Sequence, residues 1–177
     1  MPYSVGPCMF LYWALSEPPS EAAWVSRFFL RWILLTKGMA KIQAVIAMTL
    51  DGSVPSAGEP LMGWLKSDRN GFPYWRERCT RRLYPGYPLI DLICEKDSAT
   101  DTSAVFLAEI CDAESSELLR GLSLYRLIDE LVIFLIPSVG TSSLSVSAHL
   151  PSGNWRLVKS RTFRNGVCRL NYCRILQ

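Results

Sequence analysis

Asp51 is the residue of this chain best placed to do chemistry. It stands in the sequence Thr49-Leu50-Asp51-Gly52, which ends an almost unbroken apolar run beginning at Lys41. A carboxylate there could hydrogen-bond a polar ring or handle its proton, with the Thr49 hydroxyl beside it. The plainer reading gives Asp51 a turn-capping role and Gly52 a positive φ. A second group is cationic: Arg76, Arg78, Arg81 and Arg82. Arginines on one helix face could clamp a phosphate; the plainer reading is a solvated helix face with Glu77 as a local partner. His149 stands alone in a polar stretch and reads as a surface residue. No GxSxG, Walker or HExxH sequence occurs.

The elements that must position these groups follow from the apolar pattern. Residues 41–52 read as a strand buried on both faces of a sheet, with its polar end at the sheet's edge, where ligands of open α/β sheets gather. Residues 53–60 form a Ser-, Pro- and Gly-rich loop, and residues 61–65 are short enough for one helical turn. Pro73 suits the first position of a helix running to about residue 84, with Trp75, Cys79 and Leu83 as its buried stripe. Tyr84-Pro85-Gly86-Tyr87-Pro88 stops it. Residues 88–95 read as a strand carrying Asp91 in its middle, 96–103 as a polar loop and 104–109 as a short strand. Asp112 is the expected N-cap of a helix over residues 113–120, with Gly121 at C′ and a second short helix over 122–128. Residues 131–137 make another buried strand and 141–151 a serine-rich loop. Residues 155–163 and 167–175 form a hairpin, joined through Arg164-Asn165-Gly166 as a type I′ turn. The fold class is therefore α/β, a single domain with a mixed central sheet flanked by helices and closed by a C-terminal antiparallel hairpin.

The run VIAMTLDG, followed downstream by LIDELVIFLIPSVG at residues 127–140, resembles the dihydrofolate-reductase-like superfamily, in particular the C-terminal reductase domain of the riboflavin-biosynthesis deaminase–reductase. The two matches frame residues 39–177, and the terminal hairpin is also how that family ends. The resemblance implies an NADPH-dependent reductase acting on a small-molecule substrate of the pteridine or aminopyrimidine type. Asp51 and Thr49 would orient the substrate ring, the backbone at Ala47 would lie near the nicotinamide, and Gly52 would be among the cofactor-binding residues. Arg78 and Arg82 would meet the 2′-phosphate, and Glu109 would stand at the cofactor strand. A homodimer is the assembly to expect. The sequence also departs from the family: Glu109 is followed by Ile110 and Cys111 where two glycines admit the cofactor diphosphate at a helix N-terminus. A strand ending in a glycine- and threonine-containing cofactor loop, expected before residue 88, is not visible either. The alternative is thus a shortened, non-catalytic relative that binds a ligand or a partner through the same sheet edge.

Composition bounds the rest. At 49% hydrophobic and 20% charged residues the chain is globular, and a net charge of +3 makes no case for nucleic acid. Its six cysteines form no CxxC and face a single histidine, so no zinc site is expected; they read as reduced core residues of a cytoplasmic protein. Residues 1–38 differ in character. Neither 9–15 nor 24–35, which holds Arg27 and Arg31, reaches the ~18 apolar residues of a membrane span. The order of charges is not that of a signal peptide. Residues 24–35 could form an amphipathic helix with Trp24, Phe28 and Trp32 on one face, for a membrane surface or a partner. They could instead be an extra helix on this domain. The change of character at Met39 favours a third reading, in which translation starts there.

Overall fold

The apolar run after Lys41 becomes the centre of a sheet because both of its faces have somewhere to be buried. In the computed structural model, which describes residues 40–56, 58–98, 103–139 and 144–175, it forms β1 (Lys41–Thr49). Six strands lie in the order β2-β3-β1-β4-β6-β5. The others are β2 (Arg81–Leu83), β3 (Val105–Ile110), β4 (Glu130–Ile136), β5 (Trp155–Thr162) and β6 (Cys168–Arg174), and the helices are α1 (Pro60–Ser67), α2 (Phe72–Arg76), α3 (Leu89–Ser98) and α4 (Ala113–Leu124). β1 pairs in parallel with β3 and β4, β2 in parallel with β3, and β6 antiparallel with β4 and β5. The chain divides into units Met1–Gly38 and Met39–Gln177. The expectations for residues 1–38 lie outside the described residues.

Side chains alternate across β1 as the pleat requires. Ile42, Ala44 and Ile46 join Leu92 of α3 and Leu118, Leu119 and Leu122 of α4. Val45 and Ala47 join Met62 and Leu65 of α1 and Phe72 and Trp75 of α2 on the other face. The Asp129-Glu130 pair works at the strand's start, away from its polar end. Asp129 Oδ2 accepts from the Ile42 amide at 2.9 Å and from Lys96 Nζ at 2.6 Å, and Glu130 accepts from Lys41 and Gln43. The Asp129-Glu130 pair is therefore an anchor of the sheet.

Three local readings are corrected. The helix expected over residues 73–84 ends at Arg76, and Arg81–Leu83 pairs with Phe106–Ala108 as the edge strand β2. Residues 88–95, expected as a strand, are helical from Leu89 on: Leu92 is buried and the Lys96 side chain only 12% exposed while Ile90 is 76% exposed, a helical spacing in place of alternation. Asp91 then sits favourably in the first turn. The helix after Asp112 runs through Gly121 to Leu124. Arg126 takes the left-handed position at φ 53°, and the Leu127 amide returns to the Leu122 carbonyl at 2.9 Å. α1 is also longer than the single turn expected.

Candidate functional site

The carboxyl ends of β1 and β3 meet at a cleft of about 260 Å³, lined by Val54, Pro55, Ser56, Met62, Lys66, Cys111, Asp112, Ala113 and Leu144. β1 delivers the loop carrying Val54, α1 supplies Met62 and Lys66, and β3 leads into Cys111 and the start of α4. The walls are largely apolar, with one ammonium and one carboxylate. Pockets for drug-sized ligands run roughly 300–1,000 Å³, so the recess itself is the size of a single ring.

The start of α4 is closed by its own side chains. Asp112 Oδ1 accepts from the Ser115 amide at 2.8 Å and from Ser115 Oγ at 2.7 Å. Ser115 Oγ in turn accepts from the Cys111 and Asp112 amides at 3.0 and 3.1 Å. The Ser115 hydroxyl and amide hold the Asp112 carboxyl below the usual carboxylate range. Burial, then the neighbouring Asp112 charge, pushes the Cys111 thiol up to about 11. A dinucleotide diphosphate does not fit this helix end: the Asp112 carboxylate caps the Ser115 amide and holds the place of an anion, and the Cys111 and Asp112 amides just before α4 are turned onto Ser115 Oγ. The expected obstruction by Ile110 is corrected. Its side chain is fully buried among the α4 leucines, and only Cys111 reaches the cleft.

The other expected site residues are spread out. Thr49 is 2% exposed and its Oγ1 donates to the Ser53 carbonyl at 3.1 Å. Asp51 is exposed, and its Oδ2 accepts from Ser53 Oγ at 2.6 Å; it sits on the loop that leads to the cleft without lining it. Gly52 has φ +78°, and a Cβ there would meet Ser147 Oγ at 2.7 Å. Its carbonyl accepts from the Val146 and Ser147 amides. Ala47 is fully buried opposite Phe134 of β4. The arginine face does not form, because the helix that would carry it stops early. Arg78 lies past the end of α2, with its guanidinium 3.7 Å from the Tyr74 ring centroid. Arg81 pairs with Glu95 at 2.6 Å. Arg76 and Arg82 both turn to Glu109, at 2.6 and 3.5 Å, which is thereby an ion-pair anchor. Lys66 and Cys111 in the cleft carried no chemical signal in the sequence beyond their residue types. Among the described residues no group of acids, cysteines and histidine could hold a metal, and no helix is long and apolar enough to cross a membrane.

No family model matches this chain, and no curated protein matches it. Solved structures do. The diaminohydroxyphosphoribosylaminopyrimidine deaminase/5-amino-6-(5-phosphoribosylamino)uracil reductase of Thermotoga maritima matches with a TM-score of 0.52 at 12% identity, over 84% of this chain and 60% of that one. Acinetobacter baumannii RibD matches at 0.47 and 14%, over 81% and 60%. The Saccharomyces cerevisiae riboflavin biosynthesis reductase Rib7 matches at 0.42 and 12%, over 79% and 91%. The chain thus spans 60% of the length of the first two. The fold is the dihydrofolate-reductase-like fold of the riboflavin-biosynthesis reductases: a mixed six-stranded sheet with flanking helices and a terminal hairpin.

Proposed function

We propose that this domain binds a ring-sized heterocycle of the pteridine or aminopyrimidine class in the cleft between β1 and β3, without a dinucleotide seated at α4. The carrying observation is the Asp112–Ser115 closure, which places a carboxylate on the Ser115 amide at the helix end and turns the Cys111 and Asp112 amides leading into it onto Ser115 Oγ. Lys66 and Asp112 supply a donor and an acceptor to a polar ring, and Val54, Met62 and Leu144 cover its faces. The NADPH-dependent reductase is the second reading, favoured by the fold and by the exposed Asp51 carboxylate near the sheet edge. Titrating the full chain with pterin and separately with NADPH, each followed by its own fluorescence, tests the pair. Saturable pterin binding with none by NADPH at millimolar concentration supports the first. Saturable NADPH binding, with NADPH oxidation when a pterin is added, sinks it and establishes the second.

A further inference from the structure

The last quarter of the chain is unbalanced in charge. Residues 131–177 contain no Asp or Glu but carry Arg156, Lys159, Arg161, Arg164, Arg169 and Arg174. Among the described residues none of these six forms an ion pair, whereas Lys41, Arg76, Arg81, Arg82, Lys96 and Arg120 all do. Strict alternation would put Arg156 on the opposite face from Lys159 and Arg161. The register of β5 against β6 shifts between Leu157 and Lys159, so Val158 is an extra residue. Arg156, Lys159 and Arg161 then stand opposite Cys173, Asn171 and Arg169, alternate residues of β6, and so share one face. That face also holds Ala47 and Phe134, the latter directly opposite Arg169, so it is the face covered by α1 and α2.

Arg169 is the unusual member. It is 5% exposed, and its Nε has no hydrogen-bond partner. Its guanidinium lies 5.6 Å from the ring centroids of Tyr74 and Trp75 and 5.9 Å from that of Phe163. Rings can attract a cation through their faces but accept no ordinary N–H hydrogen bond, and buried donors are normally paired. The indole Nε1 of Trp75, beside it, is a second buried donor without a partner. Arg161 stands opposite Arg169, held by Asn70 Oδ1 at 3.3 Å and over the Phe163 ring at 4.8 Å. The acid near Asn70 is Asp68, whose carboxylate is already taken by the Asn70 amide and side chain. Burial first, and Arg161 second, lowers the Arg169 pKa from its ordinary value, the effect of a cation with no anion beside it.

We propose that Arg169, Arg161 and the Trp75 indole N–H form a binding site for a compact oxyanion, a phosphate monoester or a carboxylate, on the α1/α2 face of the terminal hairpin. Orphan donors and two like-charged guanidiniums are the complement of an anion that accepts several hydrogen bonds at once. The exposed Arg156 and Lys159 extend the positive field along β5 and would draw such an anion in. The site is separate from the cleft at β1 and β3 and shares none of its lining residues.

The test is thermal unfolding of the full chain with inorganic phosphate, acetate and chloride at matched ionic strength, backed by phosphorus NMR line broadening. Phosphate or acetate should raise the melting temperature saturably relative to chloride, with half-saturation near ~1 mM or below. The more effective anion identifies the group recognised. Arg161→Gln, at an exposed position, should weaken that binding about tenfold or more, and Arg169→Lys should weaken it while keeping the charge. If Arg169→Lys fails to fold, Arg161→Gln still decides. Equal shifts with all three anions, or a shift unaltered in Arg161→Gln, overturn the proposal. So does sedimentation showing a dimer that Arg161→Gln dissociates while neither anion binds, which would assign the face to a second copy of the chain.

Discussion

Arg76 and Glu109 meet fork to fork, Nε to Oε1 at 2.7 Å and Nη2 to Oε2 at 2.6 Å. The pair ties α2 to β3 across one face of the sheet and spends the carboxylate that the sequence offered as a cofactor ligand. The hydrogen bonds to Glu109 raise the Arg76 pKa.

Glu109→Gln should therefore destabilise the domain by about 2 kcal/mol, because the Glu109 side chain is 11% exposed and its loss strands a partly buried guanidinium. Arg82→Ala, removing a 60%-exposed partner at 3.5 Å, should cost less than about 1 kcal/mol. Urea unfolding midpoints compare the two, and equal losses would mean the bidentate pair has no special role.

Asp112→Ala should cost about 1 kcal/mol through the lost cap, with a definite dependence on pH. The carboxyl is held below its ordinary value, chiefly by the Ser115 hydroxyl. Its stabilisation is then complete above the ordinary carboxylate value of about 3.9 and lost as pH falls through the depressed one. The difference in urea midpoint between wild type and variant should be constant from about pH 7 to pH 5 and shrink below about pH 4. A difference that persists undiminished at about pH 2 would show that the cap does not act through its charge.

Gly166 carries the left-handed residue of the terminal turn at φ 87°, while Asn165 does not have positive φ. The expected type I′ turn is corrected to a three-residue loop. The Gly166 amide bonds the Phe163 carbonyl at 3.0 Å, and the Phe163 amide bonds the Val167 carbonyl at 2.9 Å. Gly166→Val should cost roughly 1 kcal/mol or more, from φ and from Pro137, whose Cγ would lie 3.1 Å from a Cβ. Asn165→Ala should cost less than about 1 kcal/mol, since it removes only the Oδ1 acceptor of the Val167 amide. If the two variants melt alike, the turn has the other geometry.

Cys111, with its thiol pushed up to about 11 by burial, should resist alkylation at pH 8. Modification by iodoacetamide, mapped by peptide mass, should reach the exposed Cys94 about tenfold or more sooner than Cys111. Faster labelling of Cys111 would mean that the cleft is wetter and more cationic than its lining implies.

The amino-acid sequence determined what depends on local chemistry and on how many faces a segment must bury. The run after Lys41 is apolar at consecutive positions because β1 lies between two strands and under helices on both sides. Asp112 declares a helix start through a hydrogen bond made within three residues, and Asn165-Gly166 declares a reversal because Gly166 supplies the left-handed φ locally. Tertiary structure decided the segments whose pattern suits either geometry. Trp75, Cys79 and Leu83 have helical spacing, yet residues 81–83 become a strand because β3 has an open edge to pair with. The apolar residues after Pro88 become a helix because β2 and β3 are parallel neighbours that need a crossover between them. The candidate sites belong to this second kind. Glu109 is withdrawn by an arginine 33 residues away, and Arg169 is caged by rings from α2 and the terminal loop. Burial and partnership across such distances arise only when the sheet is assembled.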